Sequence, residues 1–382
     1  MGKLKVAVIC DQTEIHGGRE RVVCDLCNEL SFFYDAYLIN LWRNSCAYTL
    51  CEKVCTIYLH NRKKYKWCML WGSIRELRRF LKEEKPDVIL CDGMTALFET
   101  FSAAYGLPVK VLYREHNGIK IWNKWVRRGP RSFIRHRLLQ CIVKHFTDAV
   151  IVLTDGEFQN YRKIMHVSKD KLVIIPHFVA EELFYKDEQY DDFAHSIITV
   201  GRIDYPKGYE YLIDTAKKIF DRHPDWHWDI YGGDGKKKYV KHIRDLISEN
   251  GLENHVFLKG KCDHIYDMYS KYGIFVMTSR HESFGMVLLE AKGKKLPLVS
   301  FDIESGPSDI IRNGVDGYLV SPFDTDAMAE KICYLIEHPE LRKDFSDHAY
   351  GNMDKFRKET IMAKWRELIE GMMGEKDESE NM

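Results

Sequence analysis

Two glutamates, Glu282 and Glu290, stand eight residues apart in the stretch from Gly273 to Gly293, and the residues around them suggest a task for both. The apolar run Ile274 to Met277 predicts a buried strand, the polar Thr278 to Ser283 a loop, and Met286 to Lys292 the opening of a helix. Glu282 then lies on the loop and Glu290 within the helix. A helix that begins near Phe284 and Gly285 presents unpaired backbone N–H groups and the positive end of its dipole, which favour a phosphate there. Gly285 lets that phosphate approach the chain closely. Two carboxylates repel a phosphate, but they accept hydrogen bonds from sugar hydroxyls on either side of it. The pattern suits a nucleotide sugar, which runs sugar, diphosphate, ribose, base. Paired glutamates at a fixed spacing also occur as ordinary loop and helix residues, so this stretch does not decide the matter alone.

The cations that a diphosphate needs lie upstream, in Val200-Gly201-Arg202-Ile203-Asp204-Tyr205-Pro206-Lys207-Gly208. Arg202 and Lys207 flank a turn between the strand Ser196 to Val200 and a helix through Leu212, Ala216 and Ile219. They offer a planar fork and a point charge. Earlier in the chain, Tyr113-Arg114-Glu115-His116-Asn117-Gly118 follows the strand Val109 to Tyr113, which places His116 at a strand's carboxyl end, facing the ligand crevice. Gly17 and Gly18 follow the strand Lys5 to Cys10 and precede a helical period through Val22, Val23, Leu26 and Leu30. They do not form the GxGxxG fingerprint of a dinucleotide site. Asp324-Thr325-Asp326 has the form of a metal-binding DxD, yet it falls where a helix through Met328, Ile332 and Leu335 needs its N-cap. Cys24 and Cys27 sit inside a helical pattern with no second ligand pair at zinc spacing, so neither segment predicts a metal.

The elements that carry these residues alternate. Apolar runs at 37–41, 54–59, 87–91, 109–113, 149–153 and 172–175 are separated mostly by helical stretches, and a fresh set begins at Ser196. Strands alternating with helices predict doubly wound α/β domains with mostly parallel sheets. A chain of 382 residues exceeds the usual size of one core. The expected division is a first domain over 1–186, with the acidic run Lys186 to Phe193 as linker, and a second over 187–354. A helix over 355–373 and a charged, disordered tail over 374–382 follow.

The order of motifs resembles the family 4 retaining glycosyltransferases. Gly17-Gly18 after the first strand, Gly201-Arg202 to Lys207-Gly208, His281-Glu282-Ser283-Phe284-Gly285 to Glu290-Ala291, and Gly314 to Val320 carry the resemblance, strongly over 196–320 and more loosely before it. It implies the GT-B architecture: two Rossmann-like doubly wound parallel-sheet domains facing a cleft, with the acceptor in the first, the donor mainly in the second, and the last helix crossing back to the first. It further implies that Arg202 and Lys207 bind the donor diphosphate and that Glu290 holds the ribose hydroxyls. Glu282 would contact the transferred sugar, and the amides of Phe284, Gly285 and Met286 would complete the phosphate site. Gly201 would belong to the donor site, and Gly17 and Gly18 to the loop that approaches the donor. Lys261 would stand where the base is contacted, and His116 would be the histidine of the catalytic cleft. No cofactor or metal is implied, and configuration is expected to be retained. Ser305 to Ile311 and Gly317 to Val320 resemble enzymes of bacterial surface-polysaccharide assembly, which act on lipid-linked or glycan acceptors, with a UDP-sugar as the expected donor. The rival readings are a UDP-sugar 2-epimerase on the same architecture and a non-catalytic glycan- or lipid-binding protein.

Charge supports a surface partner. Lys and Arg balance Asp and Glu at 57 each, but residues 1–186 hold 30 basic against 20 acidic residues and 187–382 hold 27 against 37. Two segments concentrate the excess: Arg62 to Lys82, with eight basic residues, one acid and Trp67 and Trp71 among them, and Lys120 to Lys144, with eight basic residues, no acid and Trp122, Trp125 and Phe133. Basic segments interleaved with aromatics suit an anionic membrane surface. Overall neutrality and the lack of a nucleic-acid motif argue against a nucleic acid. No apolar stretch approaches the ~18 residues of a membrane span. Eleven cysteines with no disulfide framework, and no leader-like start, point to a reducing cytoplasmic compartment and a peripheral position at the inner face of the membrane.

Overall fold

The computed structural model describes all residues except 1, 15–16, 43, 60–66, 117, 120–129, 185–189, 192 and 380–382. The chain forms two compact units. One comprises the chain up to Pro176 together with the chain from Ile361 on, and the other runs from His177 to Thr360. The acidic run 186–193 lies partly outside the described residues. The segment just before it belongs to the second unit because Leu183 is fully buried against Gly293.

The first unit is built on a seven-stranded sheet. Its strands are β1 (Lys5–Cys10), β2 (Asp35–Asn40), β3 (Cys55–Tyr58), β4 (Val88–Asp92), β5 (Lys110–Arg114), β6 (Ala149–Val152) and β7 (Leu172–Ile174), in the order β3-β2-β1-β4-β5-β6-β7. Every pair is parallel. The central strands read as unbroken apolar runs, Val6-Ala7-Val8-Ile9-Cys10 and Val88-Ile89-Leu90-Cys91, because helices cover both faces of a parallel sheet. Val8 pairs with Leu38 on one side and Leu90 on the other. The final helix, Lys358–Ser379, contributes Ile361, Trp365 and Ile369 to this unit's core. Trp365 lies beside the Arg114 guanidinium, and Glu370 accepts a bond from the Tyr34 hydroxyl at 3.2 Å. This helix runs past Gly374, where the sequence suggested that order ends. Glycine costs about 1 kcal/mol in a helix, but the Glu, Lys and Asp that follow permit it to continue.

The second unit holds β8 (Ser196–Val200), β9 (His227–Tyr231), β10 (Val256–Gly260), β11 (Ile274–Met277), β12 (Leu298–Phe301) and β13 (Gly317–Val320), again all parallel, in the order β10-β9-β8-β11-β12-β13. Both sheets wind outward in two directions from a central pair, β1 with β4 and β8 with β11. The crevice outside the carboxyl ends of such a pair is where open α/β sheets bind ligands. Asp324 accepts from the Ala327 N–H as the N-cap of the helix Thr325–Glu337, and among the described residues no cluster of metal-ligating side chains occurs. The described cysteines are free thiols, and no described helix is long and apolar enough to cross a membrane.

One ion pair anchors the second unit's central helix, Met286–Gly293. Lys292 and Asp316 are fully buried, with Nζ donating to Asp316 Oδ2 at 2.9 Å and to the Ile310 carbonyl at 2.6 Å. Burial pushes the Lys292 ammonium down to about 8, with Asp316 acting in the opposite direction. Arg312 donates to the same carboxylate at 2.6 Å. Removing the acid strands a buried charge, which typically costs 3–5 kcal/mol. Asp316→Asn is therefore expected to destabilise the protein by about 3–5 kcal/mol in urea unfolding at neutral pH. The double variant Lys292→Met/Asp316→Asn should recover most of the loss.

Candidate functional site

In the second unit the chain leaves β8 through Gly201 and Arg202 and enters a short turn, Tyr205–Lys207. Pro206 favours its start, and Gly208 ends it in the left-handed region at φ 65°. A side chain on Gly208 would collide with the Thr278 carbonyl, so glycine is what lets this turn lie against the loop after β11. The contact brings the chemistry together. Lys207 Nζ donates to Glu282 Oε1 at 2.6 Å, Ser279 Oγ donates to the same oxygen at 2.6 Å, and Thr278 Oγ1 donates to the Lys207 carbonyl at 3.3 Å. Gly201 lies beneath the Lys207 side chain, where an added Cβ would stand 3.2 Å from Cε. Arg202 is 67% exposed, and its nearest carboxylate, Asp204, is 3.6 Å away.

The helix Met286–Gly293 begins immediately after Gly285, whose φ of 92° a side chain would strain. Its first amides have no partner within the helix. Phe284 is buried, with its ring edge-on to His177 and Phe356 at 5.5 and 5.7 Å, which fixes the strand-to-helix turn from below. Glu290 is not the ordinary exposed helix residue that the sequence left open. It is 8% exposed and accepts from the Tyr266 hydroxyl at 3.3 Å and the Tyr269 hydroxyl at 3.2 Å. Lys261 stands apart from this group, exposed and paired with Asp263 at 2.6 Å.

The first unit carries its own polar centre at the carboxyl ends of β1, β4 and β5. Asp92, fully buried at the end of β4, accepts from Arg114 Nε at 2.7 Å and lies 2.7 Å from His116 Nε2. Arg19 bridges Asp92 and Asp11, and Asp11 also accepts from Thr95 Oγ1 at 3.0 Å. Burial alone would raise the Asp92 pKa. The charges of Arg114, His116 and Arg19 outweigh it and hold the carboxyl well below the usual carboxylate range. Glu115 accepts from the Met94 N–H at 2.9 Å, capping the helix Met94–Ala104, and from the Tyr113 hydroxyl at 3.0 Å. Gly17 is the N-cap of the helix Gly18–Phe33, and its carbonyl accepts from the Tyr48 hydroxyl at 3.0 Å.

Sequence reasoning missed Asp92, Arg19 and Asp11 in the first unit and Tyr266, Tyr269 and Arg280 in the second. Asp92-Gly93 carried a usable signal, an acid and a glycine directly after a fully apolar strand. The tyrosines, three residues apart on a short helix, carried none until the fold placed Glu290 against them.

Two doubly wound parallel sheets of this order are the pair of domains that make up a GT-B fold. The family model for glycosyl transferases group 1 matches residues 185–352, that for glycosyltransferase family 4 matches residues 16–183, and the chain belongs to the glycosyltransferases. The amylovoran biosynthesis glycosyltransferase AmsD of Erwinia amylovora is 26% identical over 372 residues, 96% of this chain and 99% of that one. The poly(ribitol-phosphate) alpha-N-acetylglucosaminyltransferase of Staphylococcus aureus is 27% identical over 318 residues, which cover 82% of this chain and 61% of that one. The Anabaena protein HepE, solved in complex with UDP and glucose, shares the fold with a TM-score of 0.80 at 17% identity, covering 97% of this chain and 100% of that one.

Asp92 supports a test by pH. A carboxyl held below its unfolded pKa of about 3.9 binds fewer protons folded than unfolded, so its stabilisation is complete above that value and is lost as pH falls further. Asp92→Asn is expected to lower stability at pH 7 and to flatten the decline of the urea midpoint below about pH 4.

Proposed function

We propose that this glycosyltransferase moves a sugar from a UDP-sugar to a glycan or lipid-linked acceptor in surface-polysaccharide assembly, with retention of configuration. The observation that carries this reading is the group at the β8 and β11 ends: Lys207 held by Glu282, Arg202 exposed on the same segment as Lys207, and the amino end of the helix Met286–Gly293. HepE, whose fold the chain shares, was solved in complex with UDP and glucose, AmsD is named for amylovoran biosynthesis and the Staphylococcus enzyme as a poly(ribitol-phosphate) alpha-N-acetylglucosaminyltransferase, which favours this donor and acceptor class.

The bond that breaks joins the sugar's anomeric carbon to a phosphate oxygen, and its electrons leave with the nucleoside diphosphate. Arg202, Lys207 and the amides of Phe284, Gly285 and Met286 stabilise the charge that accumulates there, and no metal is required. Such preorganised charge is worth most where it need not reorganise during reaction, and the bonds that fix Lys207 serve that end. Glu282 receives Lys207 and Ser279 on Oε1 and offers Oε2 to a sugar hydroxyl. Glu290 receives the ribose hydroxyls beside its two tyrosines. Lys261 meets the base through its backbone. The acceptor hydroxyl attacks the face that the diphosphate leaves and passes its proton to a departing phosphate oxygen. His116, oriented by Asp92, and the Gly17-Gly18 loop belong to the acceptor-binding unit.

A lipid-linked acceptor requires the enzyme to work at the inner face of the cytoplasmic membrane, and the helix Trp67–Glu84 supplies a surface for it. Trp71, 62% exposed, shares one stripe with Arg75, Arg79 and Lys82, all exposed. Arg78 does not belong to that surface as the sequence suggested. It donates to the Ala103 and Tyr105 carbonyls at 2.8 Å each and caps the end of a neighbouring helix. Residues 62–66 and 120–129 lie outside the described residues. On the helix Pro130–Phe146 the exposed Phe133, Ile134 and Leu138 lie beside the exposed Arg137 and Lys144.

Lys207→Ala is expected to lower kcat for sugar transfer by about 10²- to 10³-fold, the usual loss for one donor at a developing charge. Unchanged turnover at saturating donor would refute the assignment. Replacing Arg75, Arg79 and Lys82 by Gln, with Arg78 kept, should release the protein from phosphatidylglycerol vesicles in co-sedimentation without lowering its melting temperature.

A further inference from the structure

Arg280 occupies the loop that follows β11, two residues ahead of Glu282, and its partners all lie on the segment that carries Lys207. Its NH1 donates to the Tyr205 carbonyl at 3.0 Å and to Glu210 Oε2 at 2.8 Å. Its backbone N–H donates to the Pro206 carbonyl at 2.8 Å. Its guanidinium carbon lies over two rings, 4.3 Å from the centroid of Tyr205 and 4.5 Å from that of Tyr211. The side chain is only 12% exposed, although Tyr205 is 58% exposed.

The stack continues inward. Tyr211 lies nearly parallel to Phe323 at 5.1 Å, and both rings meet the buried Phe301 edge-on at 5.8 and 5.9 Å. Phe323 adopts φ 68°, a conformation that a bulky residue takes only when its surroundings impose it. Glu210 completes the clamp, since its Oε2 also accepts from the Tyr239 hydroxyl at 2.8 Å. Burial would raise the Glu210 pKa, and the hydrogen bonds from Arg280 and Tyr239 more than offset it, so the carboxyl stays ionised against the guanidinium. A planar cation close to two rings and bonded along its edge has little freedom left, which an ammonium in the same place could not match.

We propose that Arg280 is the positioning residue for Lys207: by clamping Tyr205, Pro206 and Glu210 to the β11 loop, it fixes the turn that aims the Lys207 ammonium at the donor diphosphate. Arg280 touches no substrate in this scheme and acts through Lys207 alone. The proposal rests on the reading of Lys207 as a diphosphate ligand, and the test separates the two.

The probe is UDP, with affinity measured by calorimetry for the wild type, Arg280→Ala, Lys207→Ala and the double variant, alongside kcat and KM for donor turnover. Arg280→Ala is expected to weaken UDP binding about 10-fold and to lower kcat by a similar factor. The same substitution should have no further effect in the Lys207→Ala background, because groups that act through one another are not additive. Arg280→Lys should recover less than half of the loss on a logarithmic scale. Equal losses in both backgrounds would mean a general structural role and would overturn the proposal, as would undiminished UDP affinity in a folded Arg280→Ala protein. If Lys207→Ala itself leaves UDP affinity and turnover intact, the functional reading fails first and the clamp loses its purpose with it. Should Arg280→Ala fold poorly, Tyr205→Leu removes one of the two rings with the guanidinium kept, and the same comparison of backgrounds decides.

Discussion

The hydrogen bond between Lys207 and Glu282 is the interaction on which the second unit's functional edge depends. It joins the segment after β8 to the segment after β11, so the two central strands of the sheet are tied where a ligand would enter. An ammonium without a partner at this place would sample many rotamers or draw in a counterion. With Glu282 opposite, it is held in one position and only partly desolvated. The close backbone approach at Gly208 and the hydroxyls of Ser279 and Thr278 all serve the same junction.

The first unit solves a comparable problem with the opposite sign. Asp92 is the buried anion, and Arg114, Arg19 and His116 gather round it at the ends of β4, β5 and the first helix. A buried carboxylate with so many partners specifies the orientation of each of them, since moving any one exposes an uncompensated charge. Packing alone would not fix the His116 ring, whereas a bond to an ionised carboxylate within a charged network does.

Much of this was legible in the sequence because parallel sheets write plainly. Strands buried on both faces appear as continuous apolar runs, and glycine and charged residues at their carboxyl ends mark the crevice, which is how Gly201, Arg202, Lys207 and Glu282 could be brought together without coordinates. Contacts that depend on tertiary packing were not legible. Nothing in the spacing of Tyr266 and Tyr269 announces that their hydroxyls converge on Glu290, and nothing in a run of basic residues distinguishes Arg78, spent on two carbonyls, from Arg75 and Arg79, which face solvent. The charged composition after Gly374 suggested disorder, whereas the helix continues to Ser379.

The buried pair Lys292 and Asp316 has a consequence for how such a protein could diversify. It pins the far end of the helix Met286–Gly293 to the strand β13 side of the sheet, while Gly285 fixes the near end, so the helix can neither slide nor rotate without breaking a charged contact in the interior. Phe284, Gly285, Met286 and Glu290 therefore share a rigid datum. Variation compatible with folding falls instead on exposed side chains outside these contacts, such as Lys261, which can change without disturbing the helix.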